Sequence, residues 1–308
     1  MKRIFVRFLS GLATVFVASF LAFLILDYAP GDVGDRLISE TATEAQIAEV
    51  RDSLGLDLAV SERYFLYIKS VLLNGDFGRS LVSQRSVATL IYSALKYTVI
   101  LACLSTFLAT LLGITLGVWS ANSSGKWVEP IVSTGSMFWI SVPVYGLALF
   151  LVQFFAVQNH WLPVVGGGSW IHFILPGISL ALPFSAAVAR LTRSNLKMIL
   201  ASPHIITAKS KGLTSHLIWH RHIVRNALPP VVSMIGLRFG SLLGGTFVVE
   251  TIFGFPGLGR LTVEAIFDQD FPVVLGAVLC AAIVFQTINF FLDVLHILLD
   301  PRVEQKAL

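Results

Sequence analysis

The chain has 308 residues, of which 55% are hydrophobic and only 13% are charged, and its mean hydropathy is +0.79. These values lie outside the range of soluble globular domains and indicate a protein whose main solvent is lipid. Its net charge is +4, and its two cysteines, Cys103 and Cys280, lie in long apolar runs, so neither a disulfide framework nor a cysteine metal site is expected.

Six apolar runs are long enough to cross a bilayer, whose hydrocarbon core of roughly 30 Å requires about 20 helical residues. They cover residues 9–28, 95–119, 131–157, 174–196, 227–249 and 273–299. An even number of crossings places both termini on one side. The sequence therefore predicts an all-α integral membrane protein with six transmembrane helices.

The orientation follows from Lys and Arg, which are in excess in cytoplasmic loops. The first seven residues contain three basic residues, and segment 190–225 contains seven and no acid. Segment 32–85 has nine acids against six bases, and segment 250–270 has four acids against one base. Both termini and segment 190–225 are therefore predicted to be cytoplasmic, and the two acidic segments external.

The chain is predicted to divide into four parts. They are the N-terminus with the first span (1–29), an external insert (30–93), a five-helix core with a cytoplasmic hairpin at about 197–225 (94–302), and a cytoplasmic tail (303–308). The first run could instead be a cleaved signal peptide, but it exceeds the usual length of about 7 to 15 apolar residues and no clear small-residue cleavage site follows. We therefore expect a retained helix.

The insert opens with Ala29-Pro30-Gly31-Asp32, a strong helix stop. Short amphipathic helices are predicted beyond it, one of them over 44–54 with Gly55 as its C-terminal cap. The insert is too small for an independent enzyme domain. We expect it to form a cap or docking surface outside the membrane.

The most informative polar segment follows the fourth span. Ser202 can serve as the N-cap of a helix with Pro203 at its first position, Gly212 closes this helix, and a second helix can begin at Thr214. The pattern predicts a short basic helical hairpin suited to docking on a partner. An ordinary positively charged cytoplasmic loop is the alternative.

Further motifs occur in order between residues 4 and 302. They are Pro30-Gly31-Asp32, Leu54-Gly55-Leu56, Gly75-Asp76-Phe77-Gly78-Arg79-Ser80, Ala189-Arg190-Leu191-Thr192-Arg193, Thr207-Ala208-Lys209-Ser210-Lys211-Gly212, Arg225-Asn226-Ala227-Leu228-Pro229-Pro230, residues 240–245, Val249-Glu250-Thr251, residues 255–260 and Leu299-Asp300-Pro301-Arg302. Together they resemble the ABC importer permeases of the dipeptide, oligopeptide and nickel group. The motifs around 207–212 and 225–230 are similar to the cytoplasmic EAA loop of that group.

The resemblance implies a multi-pass subunit of a bacterial cytoplasmic (inner) membrane. It would pair with a second homologous permease, dock two cytoplasmic ATPases and receive solute from an external binding protein, without a cofactor and without nucleic acid. The hairpin would be the coupling helix, with Thr207, Ala208, Lys209, Ser210, Lys211, Gly212 and Leu213 as its contact residues. ATPase closure would then move the helix and rock the spans as rigid bodies.

The hairpin also departs from the family pattern. Ile206 stands in place of the glutamate that names the loop, and Pro203 and His204 stand where the group often has Asp and an aromatic residue.

The sequence has no phosphate-binding loop for ATP. Its Gly125-Lys126 pair is followed by Trp127, and Ser120 stands where the first Gly of such a loop belongs. The chain is therefore expected not to be an enzyme, with ATP hydrolysis on separate subunits.

Polar residues inside the spans are functional candidates because their insertion is costly. In the last span Gln286, Asn289, Asp293 and His296 lie on one helix face. This stripe could line the translocation path or form hydrogen bonds to another helix. Packing is favoured for Asp293 and His296, which lie near the cytoplasmic end, whereas Gln286 and Asn289 are candidates for the path.

Arg238 lies about halfway along the fifth span, where a charge costs about 2.5 to 3.5 kcal/mol unless it faces water or a counter-charge. We expect it to line the solute cavity, with a structural ion pair as the alternative. Small residues allow close helix approach, and the glycines in this pattern are Gly236, Gly240 and Gly244 in the fifth span with Gly113 and Gly117 in the second. Pro143 and Pro183 are expected to kink their spans.

Three further hypotheses are weaker. His216, His220 and His222 have metal-ligand spacing, but no Cys, Asp or Glu lies nearby to complete a site. An ion-coupled secondary transporter would need repeats with broken helices and paired mid-membrane carboxylates, which the sequence lacks. An intramembrane enzyme would need a His or paired Asp at depth beside a nucleophile.

The resembled group carries peptides, nickel or its chelates, glutathione, opines and some sugars, and a peptide is the solute we expect.

Overall fold

The computed structural model describes residues 2–28, 58–123 and 127–299, so the predicted helix at 44–54 and the tail at 303–308 lie outside the described residues. This part of the chain is helical, with one isolated β-bridge between Arg79 and Ser86. The helices are α1 (Lys2–Asp27), α2 (Val60–Asn74), α3 (Val87–Asn122), α4 (Val128–Ser141), α5 (Val144–Leu151), α6 (Ile174–Leu200), α7 (Pro203–Ser210), α8 (Ser215–Ile218), α9 (Arg225–Gly245), α10 (Phe247–Ile252), α11 (Leu258–Phe267) and α12 (Phe271–Leu299).

Four segments of the described chain are long and apolar enough to cross a membrane as single helices. They are Phe5–Asp27, Val87–Asn122, Trp170–Leu200 and Phe271–Val294. These segments correspond to the first, second, fourth and sixth predicted spans. The fourth includes a short 3₁₀ turn at Trp170–Phe173 and then continues through Pro183 as the single helix α6.

The third predicted span, 131–157, is not one helix. Segment Val128–Ser141 meets segment Val144–Gln158 at an angle of 93°. Pro143 explains the break, because proline lacks an N–H and disfavours the helical region for the residue before it. Val142 accordingly has an extended backbone, with ψ of 122°. The expected kink is therefore a sharp break between two helices.

Of the six predicted spans, the fifth has the composition least typical of a lipid-facing helix. Helix α9 is not among the apolar segments of the described chain, and it contains Pro229 and Pro230. It also ends at Gly245, four residues before the predicted boundary, and α10 follows directly. Six crossings therefore remain a prediction.

The described helices form two compact units, and the first consists of residues 1–97 and 256–286. Its apolar core joins the start of α3 to α11 and the start of α12 through Val87, Ile91, Leu258, Val273 and Ala277, all nearly inaccessible to solvent. Gly276 lies so close to Val87 and Ile91 that a Cβ there would stand 2.8 Å and 2.9 Å from their side-chain carbons.

Helix α2 packs on α1 through polar and aromatic contacts. The Tyr64 hydroxyl lies 3.1 Å from the Phe16 carbonyl oxygen and 2.7 Å from the Ser19 hydroxyl. Arg63 donates a hydrogen bond of 2.5 Å to Asp27 and lies over the Phe23 ring. The acid near the end of the first span is therefore neutralised by a basic residue of the insert.

The motif at residues 75–80 builds a tight loop on the start of α12. Gly75 and Gly78 have φ values of 63° and 87°, which glycine adopts without steric cost. The loop brings the Ser80 hydroxyl 2.5 Å from Asp270, and the backbone N–H of Leu81 donates to the same carboxylate at 3.1 Å. Asp270 is buried, so these hydrogen bonds compensate for its lost hydration.

The second unit consists of residues 98–255 and 287–308, and α6 is its central helix. Val188 and Phe184 of α6 form an apolar cluster with Ala109 of α3 and Val231 of α9. Two glycines of α3 lie directly on α6. A Cβ on Gly113 would stand 2.5 Å from Val188 Cβ, and one on Gly117 would stand 2.8 Å from the carbonyl oxygen of Ala189.

We predict that Gly117→Ala lowers the stability of the purified chain by about 1–3 kcal/mol, the usual cost of overpacking. The added methyl group meets a backbone carbonyl, which cannot move aside as a flexible side chain can. The measurement is the midpoint of thermal unfolding in detergent. Gly146→Ala is the matched control, because a Cβ on this helical glycine meets no atom within 4 Å. Equal midpoints for the two variants would contradict this account of the α3–α6 contact.

Candidate functional site

The predicted hairpin is present, and its backbone follows the predicted pattern. Pro203 is the first residue of α7, Gly212 has a φ of +74°, and Thr214 directly precedes α8. Ser202 occupies the N-cap position, but its hydroxyl donates to the Ile199 carbonyl oxygen instead of capping α7. Beyond α8 the chain passes through a wider π-helical turn, Trp219–Val224, directly into α9.

The inner side of the hairpin is fixed in an apolar core. Ile205 and Ala208 of α7 are buried with Leu196 of α6 and with Ile218 and Ile223 of the returning segment. Val118 and Ala121 at the end of α3 pack against the same cluster. A force applied to α7 therefore reaches the ends of α3 and α6 and the start of α9 through close-packed side chains.

The outer side of the hairpin is exposed and combines basic and apolar side chains. Six of the seven predicted coupling residues lie here, namely Thr207, Lys209, Ser210, Lys211, Gly212 and Leu213, whereas Ala208 faces the core. Ile206 is 59% exposed and Leu217 is 40% exposed. Exposed apolar side chains among charges are typical of a surface that a partner covers. We call the side chains of 206, 207, 209–211, 213 and 217 the docking face.

An ion cluster anchors α6 beside the hairpin. Glu129, at the start of α4, forms ion pairs with Arg193 and with Lys197, the latter at 2.5 Å. Arg193 also donates a hydrogen bond of 2.8 Å to Ser133. These contacts tie the first turns of α4 to the last turns of α6, whose Leu196 belongs to the hairpin core. No local sequence signal indicates this pairing, because 64 residues separate Glu129 from Arg193.

Arg238 lies against α6 at mid-length. Its guanidinium carbon is 5.8 Å from the centre of the Phe184 ring, within cation–π range. Phe184 is near the middle of Ile174–Leu200. Arg238 belongs to none of the ion pairs of the described residues, and its side chain is half-buried. The structure therefore places a guanidinium deep along a long apolar helix.

The four stripe residues of α12 have different surroundings. Gln286 packs directly on Gly11 of α1, within the first unit. The side-chain oxygen of Asn289 is buried and has no hydrogen-bond partner among the described residues. Asp293 is hydrogen-bonded or otherwise paired, and the side chain of His296 lies outside the described residues. The stripe is thus a series of separate contacts, of which Asn289 alone presents an unsatisfied buried oxygen.

The remaining sequence candidates are placed as follows. Gly236 packs on Leu292 of α12, whereas the surroundings of Gly244 lie outside the described side chains and Gly240 is buried. The rings of His216 and His220 are 4.4 Å apart. No group of three or more His, Cys, Asp or Glu residues suited to a metal occurs in the part of the chain that the structure describes.

Glu250 is a buried acid whose role the sequence did not reveal. It was counted with the external acids, but its side chain is fully buried and accepts hydrogen bonds of 2.7 Å from Thr98 and from Thr246. Thr246 stands between α9 and α10, so the carboxylate ties the break between these helices to α3. Only a three-dimensional structure brings Thr98 and Glu250 together, because 152 residues separate them.

Two family models together match nearly the whole chain. Residues 113–305 match the model described as binding-protein-dependent transport system inner membrane component, and residues 1–111 match that of its N-terminal region. The glutathione transport system permease protein of Escherichia coli (strain K12) is 38% identical over 97% of this chain and 98% of its own length. The protein of the same name from Salmonella choleraesuis (strain SC-B67) is 39% identical over the same shares.

Solved structures show the same fold at low identity. A chain of an amino acid ABC transporter crystallised with histidines has a TM-score of 0.57 at 20% identity, covering 68% of this chain and 93% of that one. A chain of the MetNI methionine ABC transporter in an inward-facing conformation has a TM-score of 0.56 at 17% identity, with coverages of 69% and 97%.

Proposed function

Since the chain belongs to the family of inner membrane components of binding-protein-dependent transport systems, we propose that it forms the translocation path for a small peptide-like solute, with glutathione as the first candidate. The chain is a permease subunit of an ABC importer, a transport component of the inner membrane that works with a solute-binding protein and ATPases. The choice of glutathione is supported by the similarity to a permease named for glutathione transport, which extends over 97% of this chain.

Within this importer, the docking face is the contact for the ATPase. Its side chains lie on the exposed side of the hairpin that contains α7. The inner side of α7 packs against the ends of α3 and α6 and the start of α9, so a movement of α7 is transmitted to these helices. The described chain contains one such hairpin, so two ATPase subunits require a second, homologous permease beside this one. Lipid covers the remaining exposed apolar surface of the spans.

We predict that Ile206→Asp with Lys209→Glu weakens association with the ATPase about tenfold, because it removes an apolar contact and reverses a charge on the docking face. The measurements are co-purification of the ATPase and vanadate-sensitive ATP hydrolysis by the complex. Leu66→Asp with Lys69→Glu is the matched control, since both residues are exposed, have the same spacing and lie on α2. Equal loss in both variants, or in neither, would contradict the proposed contact.

The proposed topology has six crossings with both termini and the hairpin in the cytoplasm. The distribution of Lys and Arg supports it. In a chain carrying Cys103→Ser and Cys280→Ser, we expect Val82→Cys to react with an impermeant maleimide in intact cells, since Val82 is 62% exposed in the proposed external segment. Ser210→Cys is expected to react only after permeabilisation. Labelling of both positions from the same side would contradict the topology.

The path itself is assigned to Arg238, Gln286 and Asn289. Among the described residues, Arg238 contacts an aromatic ring but has no acidic partner. The buried side-chain oxygen of Asn289 has no hydrogen-bond partner there either. Gln286 is the least direct of the three, because Gly11 already covers part of its side chain. Gly113, Gly117, Gly236, Gly240 and Gly244 act in helix packing rather than on the solute.

The proposed solute is tested with the complete complex reconstituted in proteoliposomes. We predict ATP-dependent accumulation of labelled glutathione, abolished by vanadate and by omission of the binding protein. A complex in which glutathione-loaded binding protein neither stimulates ATP hydrolysis nor supports uptake would contradict glutathione as the solute. Uptake of alanine tripeptides by the same complex would then assign it to other small peptides.

A further inference from the structure

Arg238 lies on the side of α9 that faces α6. Val231, Met234 and Ile235 pack in the cluster around Phe184 and Val188, and Arg238 continues their spacing of three and four residues one turn further on. The contact with the Phe184 ring agrees with this placement. Its neighbour Leu237 is 56% exposed, so the guanidinium lies at the edge of the α6–α9 contact and not in its interior.

No acid among the described residues balances the charge of Arg238. The ion pairs of the described residues use other basic side chains, and the aromatic ring that Arg238 contacts orients a cation without neutralising it. A hydrocarbon environment is the least favourable one for an unpaired guanidinium. Helix α9 is also absent from the strongly apolar segments of the described chain. Both observations indicate that the guanidinium meets water or a polar ligand.

We propose that Arg238 is a specificity residue that favours solutes bearing a carboxylate, an inference that rests on the proposed role of this chain as the permease for a peptide-like solute. A guanidinium offers paired N–H donors that match the two oxygens of a carboxylate. The Phe184 ring lies 5.8 Å from the guanidinium carbon, and no side-chain hydrogen bond among the described residues uses the Arg238 N–H groups, which remain for the solute.

The test compares glutathione with its diamide, in which both carboxylates are converted to amides, in the complete reconstituted complex with the binding protein saturated. The ratio of their ATP-dependent uptake rates is measured for the wild type, Arg238→Gln and Arg238→Lys. The contribution of the binding protein to this ratio is the same in all three complexes and therefore cancels. We expect Arg238→Gln to lower the ratio of glutathione uptake to diamide uptake about tenfold, while Arg238→Lys retains part of the preference.

ATP-dependent uptake of the diamide by the Arg238→Gln complex shows that this complex is folded and coupled. Equal slowing of both probes would assign Arg238 a structural role and overturn the proposal. A preference for the carboxylate that survives Arg238→Gln would also overturn it, while leaving the permease function intact. Absence of ATP-driven uptake of both probes by the wild-type complex would instead contradict the proposed solute class, and the inference with it.

Discussion

Helices in lipid gain little from burying apolar side chains against one another, because the surrounding solvent is equally apolar. The helices of this chain are therefore held by close backbone approach and by a small number of buried polar contacts. Gly113 and Gly117 bring α3 onto α6 at a separation that leaves no room for a methyl group. Glu250 fixes the break after α9 to Thr98, and Asp270 holds the loop at Ser80.

Helix α6 connects the features that matter for transport in the second unit. Its last turns carry Leu196 in the hairpin core and Arg193 and Lys197 in the ion cluster with Glu129. Its middle carries Phe184, the partner of Arg238. The docking face, which is proposed to meet the ATPase, and the guanidinium that is proposed to meet the solute thus both contact one continuous helix. A displacement of the hairpin by the ATPase would reach the solute site through this helix.

The sequence predicted the helical membrane class, the family and the bounds of the hairpin because each of these depends on local signals. Hydrophobic run length indicates spans, and Pro203 and Gly212 mark the start and the end of α7 through their own backbone preferences. In the third span a kink at Pro143 was predicted, but the chain breaks there into two helices at 93°. The composition of this span is apolar throughout, and periodicity alone does not show how far Val142 and Pro143 turn the chain.

The sequence by itself determined what each segment prefers as its solvent and its local conformation, since these follow from the residues within a few turns. Which polar groups meet was decided only by the tertiary structure. The pairs Glu129–Arg193, Ser80–Asp270 and Thr98–Glu250 are 64, 190 and 152 residues apart. A buried polar group must find a partner wherever the packing of the helices places one, and that packing is a property of the whole fold.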